Sequence, residues 1–137
     1  MTSATQGERS YSGARAYNQS KLANVLFTYE LARRLHGTDV TANTLHPGVV
    51  RTSFGAEDPS LTQQLLVPIL RPFMKSAERG AATSIRVATA RQLEGVTGRY
   101  FTNSRTKKSS PQSYERDTAA RLWQTTTELI EQAACRP

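Results

Sequence analysis

Val40-Thr41-Ala42-Asn43-Thr44-Leu45-His46-Pro47-Gly48 reads as a short strand with an abrupt stop. Its apolar residues do not alternate strictly, the pattern of a strand covered on both faces, and Pro47-Gly48 must break it. Upstream, Thr38-Asp39 is a tight turn and Gly13 to His36 has the periodicity of a helix. Leu22, Val25, Leu26, Tyr29, Ala32 and Leu35 recur at helical spacing, with Ser12 placed as N-cap. Gly37 is the stop, and Arg33, Arg34 and His36 put positive charge in the last turn, where the helix dipole favours it. That accounts for His36; His46 is read as packing or hydrogen-bonding at the strand end. A helix, a turn, a strand and a Pro-Gly elbow form half of a βαβ arrangement. Open α/β sheets take their ligands just beyond the carboxyl ends of the strands. Pro47-Gly48-Val49-Val50-Arg51-Thr52 is therefore the expected ligand-facing stretch. Gly48 lets a backbone approach closely, while the Val50 N–H and the Thr52 hydroxyl can donate to an amide or a phosphate.

Near the start of the long helix stands Tyr17-Asn18-Gln19-Ser20-Lys21. Residues four apart share one helix face. A free tyrosine titrates at about 10 and a lysine at about 10.4, so neither does acid–base work unaided near neutrality. An ammonium beside a phenol favours the phenolate, and the pair then suits proton exchange with a carbonyl or alcohol oxygen. On its own the spacing is more often a solvated helix face. Its place ahead of the strand and elbow is what gives it weight.

Beyond the elbow, residues 53–60 read as a loop, and Leu61 to Lys75 as an apolar helical stretch broken by Pro68 and Pro72. Such a flap suits either an apolar substrate or a capped core. Ser76 opens a helix with Glu78 in its first turn, Ala77, Ala81, Ile85, Ala88 and Thr89 are expected on its packing face, and Gly95 closes the segment. Thr97 to Asn103 reads as a second strand, with Tyr100 and Phe101 as core or pocket wall. Residues 104–114 read as a basic, Ser-rich loop. A last helix from about Tyr114 to Ala134 carries Ala119, Leu122, Trp123, Thr126, Leu129, Ile130 and Ala133 on one stripe, Trp123 serving as a packing anchor.

With 137 residues the chain is one domain at most. Eighteen basic residues against eleven acidic ones leave +7, which raises the question of an anionic partner. The arginines, however, are spread over every element, and only Arg105, Lys107 and Lys108 cluster. A nucleic-acid binder concentrates charge on one face or interleaves it with aromatics, so no nucleic-acid partner is expected. No apolar run approaches membrane-spanning length, and Cys135 is the sole cysteine, which excludes an intrachain disulfide and gives no support to a thiolate metal site. A cytoplasmic setting is the expectation.

Together, Arg15-Ala16-Tyr17-Asn18-Gln19-Ser20-Lys21-Leu22-Ala23-Asn24 and His46-Pro47-Gly48-Val49-Val50-Arg51-Thr52 resemble the short-chain dehydrogenase/reductase family, in its retinol-dehydrogenase and protochlorophyllide-reductase-like branch. Gly98-Arg99-Tyr100-Phe101 and the Leu122-Trp123 helix resemble that family's last strand and tail. The resemblance implies the C-terminal part of a Rossmann-like doubly wound parallel sheet, with about two strands and three to four helices. It also implies hydride transfer between NADP (or NAD) and a lipophilic carbonyl or alcohol. Tyr17 would be the proton donor or acceptor. Lys21 would support it and hold the nicotinamide ribose. Val50 would meet the carboxamide, and Pro47, Gly48 and Thr52 would shape that end of the cofactor site. The family's glycine-rich phosphate turn and its active-site asparagine have no counterpart here, and Ser3, Ser10 and Ser12 match the catalytic serine by position only. Residues 1–137 are thus expected to be a partial NAD(P)-binding domain lacking its N-terminal half, inactive by itself. The alternative is a non-catalytic remnant that associates with a sister subunit through the first helix, as a homo-oligomer would.

Overall fold

In the computed structural model, residues 12–48 and 76–135 are described. The flap expected over 61–75 and the elbow residues 49–52 lie outside them. Three helices, α1 (Gly13–Arg34), α2 (Ala77–Thr89) and α3 (Arg116–Ala134), accompany three short strands: β1 (Thr44–His46), β2 (Tyr100–Thr102) and β3 (Arg105–Lys107). Single turns of tighter helix occupy Arg91–Leu93 and Pro111–Tyr114.

β1 pairs in parallel with β2, Leu45 opposite Phe101, and β2 pairs antiparallel with β3, Phe101 opposite Thr106. The result is a small mixed sheet flanked by helices, consistent with part of a Rossmann-like α/β fold. β3 corrects the reading of 104–114 as a loop. Asn103 and Ser104 sit at φ 49° and 60°, the two left-handed positions of a type I′ hairpin turn, whose twist matches the strands it joins. Asn-Gly would have announced such a turn; Asn-Ser did not.

β1 is also shorter than expected, because Ala42 and Asn43 spend their polar groups on the approach to β2. Ala42 N–H donates to Thr97 Oγ1 at 3.0 Å, and Gly98 N–H donates to the Ala42 carbonyl at 2.8 Å. The Asn43 amide bridges the same segment twice, donating to the Val96 carbonyl at 2.6 Å and accepting from Arg99 N–H at 3.0 Å. A side chain here does the pairing that backbone does one residue later.

α1 starts at Ser12, whose backbone is extended but whose hydroxyl makes no capping bond; its carbonyl takes Ala16 N–H at 2.9 Å instead. The helix stops at Arg34, two residues before His36, and Gly37 turns the chain at φ 86°. Leu26, Tyr29 and Ala32 are buried, so the predicted stripe is the one that packs. α3 lies along α1 with Ala119 fully buried, and Trp123 stacks on Phe27 with ring centroids 5.0 Å apart. The Arg34 guanidinium covers the same indole at 4.6 Å, so Trp123 is the expected anchor between the helices. The stripe does not stay covered, since Leu129 and Ile130 are exposed.

α2 keeps its predicted cap, Ser76 Oγ accepting Arg79 N–H at 3.4 Å, but not its predicted face. Gly80 and Thr83 are buried and Ile85 is 59% exposed. The reason is polar: Thr83 Oγ1 accepts the N–H of Ser104 at 3.0 Å, satisfying a donor left free by the hairpin turn. Thr83→Val keeps the shape and deletes that acceptor, and is expected to cost about 1–2 kcal/mol in urea unfolding.

Glu30 is the buried carboxylate of α1, held by hydrogen bonds from both Arg33 and Arg34. Burial alone would raise its pKa, but the two guanidinium groups outweigh that and keep it below its ordinary value. The lowered folded value means the pairing stabilises the fold fully above about pH 4.5, and that stability is lost as the pH falls through the folded value. Glu30→Gln is expected to cost about 1 kcal/mol at pH 7, less in high salt, and to flatten the acid limb of the stability profile.

Candidate active site

The direction of α1 decides where its first turns end up. Ala32 lies against Gly98, whose added Cβ would sit 3.5 Å from the alanine methyl. Three residues earlier on the helix, Tyr29 shares a cleft with Tyr100, two residues later on the strand. Helix numbers fall as strand numbers rise, so α1 runs against β2 and therefore against the parallel β1. Tyr17 precedes Ala32 by about 22 Å of helix, whereas β2 extends only about 13 Å beyond Gly98. The opening turns of α1 thus project past the carboxyl ends of the two parallel strands, the end at which His46-Pro47-Gly48 leaves β1.

There, Tyr17 and Lys21 come together. The Lys21 ammonium lies 5.0 Å from the centroid of the Tyr17 ring, a cation over the π-face held by the i,i+4 spacing of the helix. Tyr17 is 47% exposed. The Ser20 hydroxyl folds back on the Tyr17 carbonyl at 2.7 Å, which keeps it off the exposed face. A phenol and an ammonium presented together at a strand end can exchange a proton with an oxygen placed against them.

At the end of β1, Pro47 and Gly48 are half-buried, and Gly48 has φ 87°. This is a left-handed conformation that a residue with a Cβ adopts only with strain. Val50 and Thr52 lie outside the described residues, as do Ser3 and Ser10; Ser12 is exposed at the start of α1. What sequence reading did not single out is Asn43, whose two hydrogen bonds, to the Val96 carbonyl and from Arg99 N–H, fix the level at which β1, and so the elbow, begins. Its spacing carries no signal; only the partner segment reveals it. Among the described residues no group of His, Cys, Asp or Glu is arranged to hold a metal, and no helix is long and apolar enough to cross a membrane.

The sequence is similar to known proteins over most of its length. The short chain dehydrogenase family profile matches residues 1–61. Human retinol dehydrogenase 14 is 45% identical over 118 residues, which is 85% of this chain and 35% of that protein. Human retinol dehydrogenase 12 is 46% identical over 125 residues, 91% of this chain and 39% of the relative, and human retinol dehydrogenase 13 is 41% identical over 126 residues, 89% and 38%. The matched stretch is thus little more than a third of each relative's length.

Because the left-handed turn at Gly48 is local, Gly48→Ala is expected to destabilise the chain by about 1–2 kcal/mol in chemical denaturation, with the helical circular dichroism of the native state unchanged.

Proposed function

We propose that this chain, which belongs to the short chain dehydrogenase family in its retinol-dehydrogenase-like branch and spans part of the family's length, contributes the proton-transfer half of an oxidoreductase site acting on a lipophilic carbonyl or alcohol. The observation that carries the reading is the Lys21 ammonium lying over the ring of Tyr17 at the carboxyl ends of the parallel strands. In this reading the Tyr17 hydroxyl gives its proton to a substrate carbonyl oxygen in reduction, or takes one from an alcohol in oxidation. The positive charge of Lys21 stabilises the negative charge left on the tyrosine oxygen, and its ammonium would also hold the ribose hydroxyls of a nicotinamide nucleotide.

A nicotinamide nucleotide, NADP or NAD, supplies or accepts the hydride when bound. The residues present suit such a group: an exposed lysine to donate to ribose hydroxyls, and Gly48, without a side chain, where a flat ring would approach the backbone. Pro47 shapes that approach, and Val50 and Thr52 complete it in the same proposal. Residues 1–137 are then part of an NAD(P)-binding Rossmann-like domain. The relatives' names point to retinol as the substrate type, an apolar alcohol.

The second reading is a non-catalytic chain that associates with a sister subunit through α1; the 137 residues themselves hold no glycine-rich phosphate-binding run. We therefore expect NADPH and NADH to give no saturable thermal shift with this chain by itself. Grafted in place of the matching 35% of human retinol dehydrogenase 14, it is expected to support NADPH-dependent reduction of all-trans-retinal. Tyr17→Phe should lower kcat/KM of that chimera by about a hundredfold or more, with NADPH affinity retained, whereas Lys21→Met should weaken both. A chimera equally active with phenylalanine at position 17 would rule out the catalytic assignment.

A further inference from the structure

At the opposite end of the sheet from the elbow, α1 and the β2–β3 hairpin enclose a cleft of about 550 Å³. Tyr100 and Lys107 stand directly opposite each other in the hairpin, so their side chains leave the same face. Lys108 and Arg99 extend that wall. The facing wall is aromatic: the rings of Tyr29 and Tyr114 stack with centroids 5.5 Å apart and planes 24° from parallel. Tyr29 is buried while Tyr114 is 51% exposed, so Tyr114 has one face on Tyr29 and offers the other.

This aromatic wall is held in place. Ser109 Oγ bonds the Tyr29 hydroxyl at 2.8 Å and Ser113 Oγ at 2.6 Å, and Ser109 N–H donates to the Tyr114 hydroxyl at 3.1 Å. Among the described residues no carboxylate pairs with the cations opposite, and no Asp or Glu is among the described residues lining the cleft. The only salt bridges among the described residues are those of Glu30 with Arg33 and Arg34. A concave surface of this size, with a preorganised ring on one side and cations on the other, is complementary to a small molecule that joins a flat ring to an anion.

We propose that this cleft is a binding site for a small aryl phosphate, its phosphate between Lys107 and Lys108 and its ring on the free face of Tyr114. Lys107 and Lys108 both line the cleft, and a phosphate ester carries its negative charge on several acceptor oxygens, so it can take hydrogen bonds from both ammonium groups. The site is separate from Tyr17 and Lys21 and stands whether or not the proton-transfer reading does.

Calorimetric titration of the 137-residue chain with phenyl phosphate at low salt tests it, with inorganic phosphate as the comparison. Saturable binding is expected, about tenfold tighter for phenyl phosphate than for inorganic phosphate. The double variant Lys107→Gln/Lys108→Gln should weaken it about tenfold or more. Both lysines are exposed, Lys107 as the last residue of β3 and Lys108 just beyond it, so an unchanged circular dichroism spectrum accompanies that loss. Tyr114→Ala should abolish the preference for the ring, Tyr114→Phe should keep it, and Lys21→Gln should change nothing. Absence of saturable heat, equal affinity for the two phosphates, or a loss that follows Lys21 rather than Lys107 and Lys108 each overturns the proposal.

Discussion

The parallel pairing of β1 with β2 is the constraint on which the rest of the structure hangs. It joins segments 56 residues apart in sequence through strands of only three residues each. A ladder so short offers little against the entropy of closing so long a loop. The chain reinforces it just upstream: Ala42 exchanges hydrogen bonds with Thr97 and Gly98, and the Asn43 amide takes one bond from Arg99 and gives one to Val96. These contacts set the register before the strands begin, and with it the height at which Pro47-Gly48 turns out of the sheet.

The same segment positions the helix. Gly98, at φ 65°, passes close enough to Ala32 that a Cβ there would touch it, so α1 rests on the sheet at its C-terminal end. Everything upstream of Ala32 is then a rigid lever, stiffened by Phe27 on Trp123 and by Glu30 between its two arginines. The location of Tyr17 and Lys21 relative to the strand ends is decided by packing some 22 Å away. This is how a helix can hold two side chains beyond the strand ends without being buried there.

Charge follows a similar logic. In the sequence the positive residues are scattered over the elements, and only Arg105, Lys107 and Lys108 cluster. The hairpin turn at Asn103-Ser104 brings Lys107 opposite Tyr100, and the turn Pro111–Tyr114 returns Tyr114 to Tyr29. A cationic wall and an aromatic one meet only because β3 exists. Glu30, the buried carboxylate of α1, is already committed to Arg33 and Arg34.

What could be read from the chain alone is what depends on neighbours in sequence. The periodicity of Leu26, Tyr29 and Ala32 dictates the buried face of α1, Ser76 dictates the start of α2, and Pro47-Gly48 dictates a break after β1. The four-residue spacing of Tyr17 and Lys21 dictates that phenol and ammonium share one face. Tertiary structure decided the remainder, through bonds between distant residues. Asn43 became a bridge because Val96 and Arg99 came to it, and Thr83 outcompeted Ile85 for burial because Ser104 needed an acceptor. Residues 104–108 became strand and cleft wall because a left-handed Asn-Ser pair folded them back on β2. Local pattern selects the elements, but a donor that must be satisfied across the fold has no signature in the residues beside it.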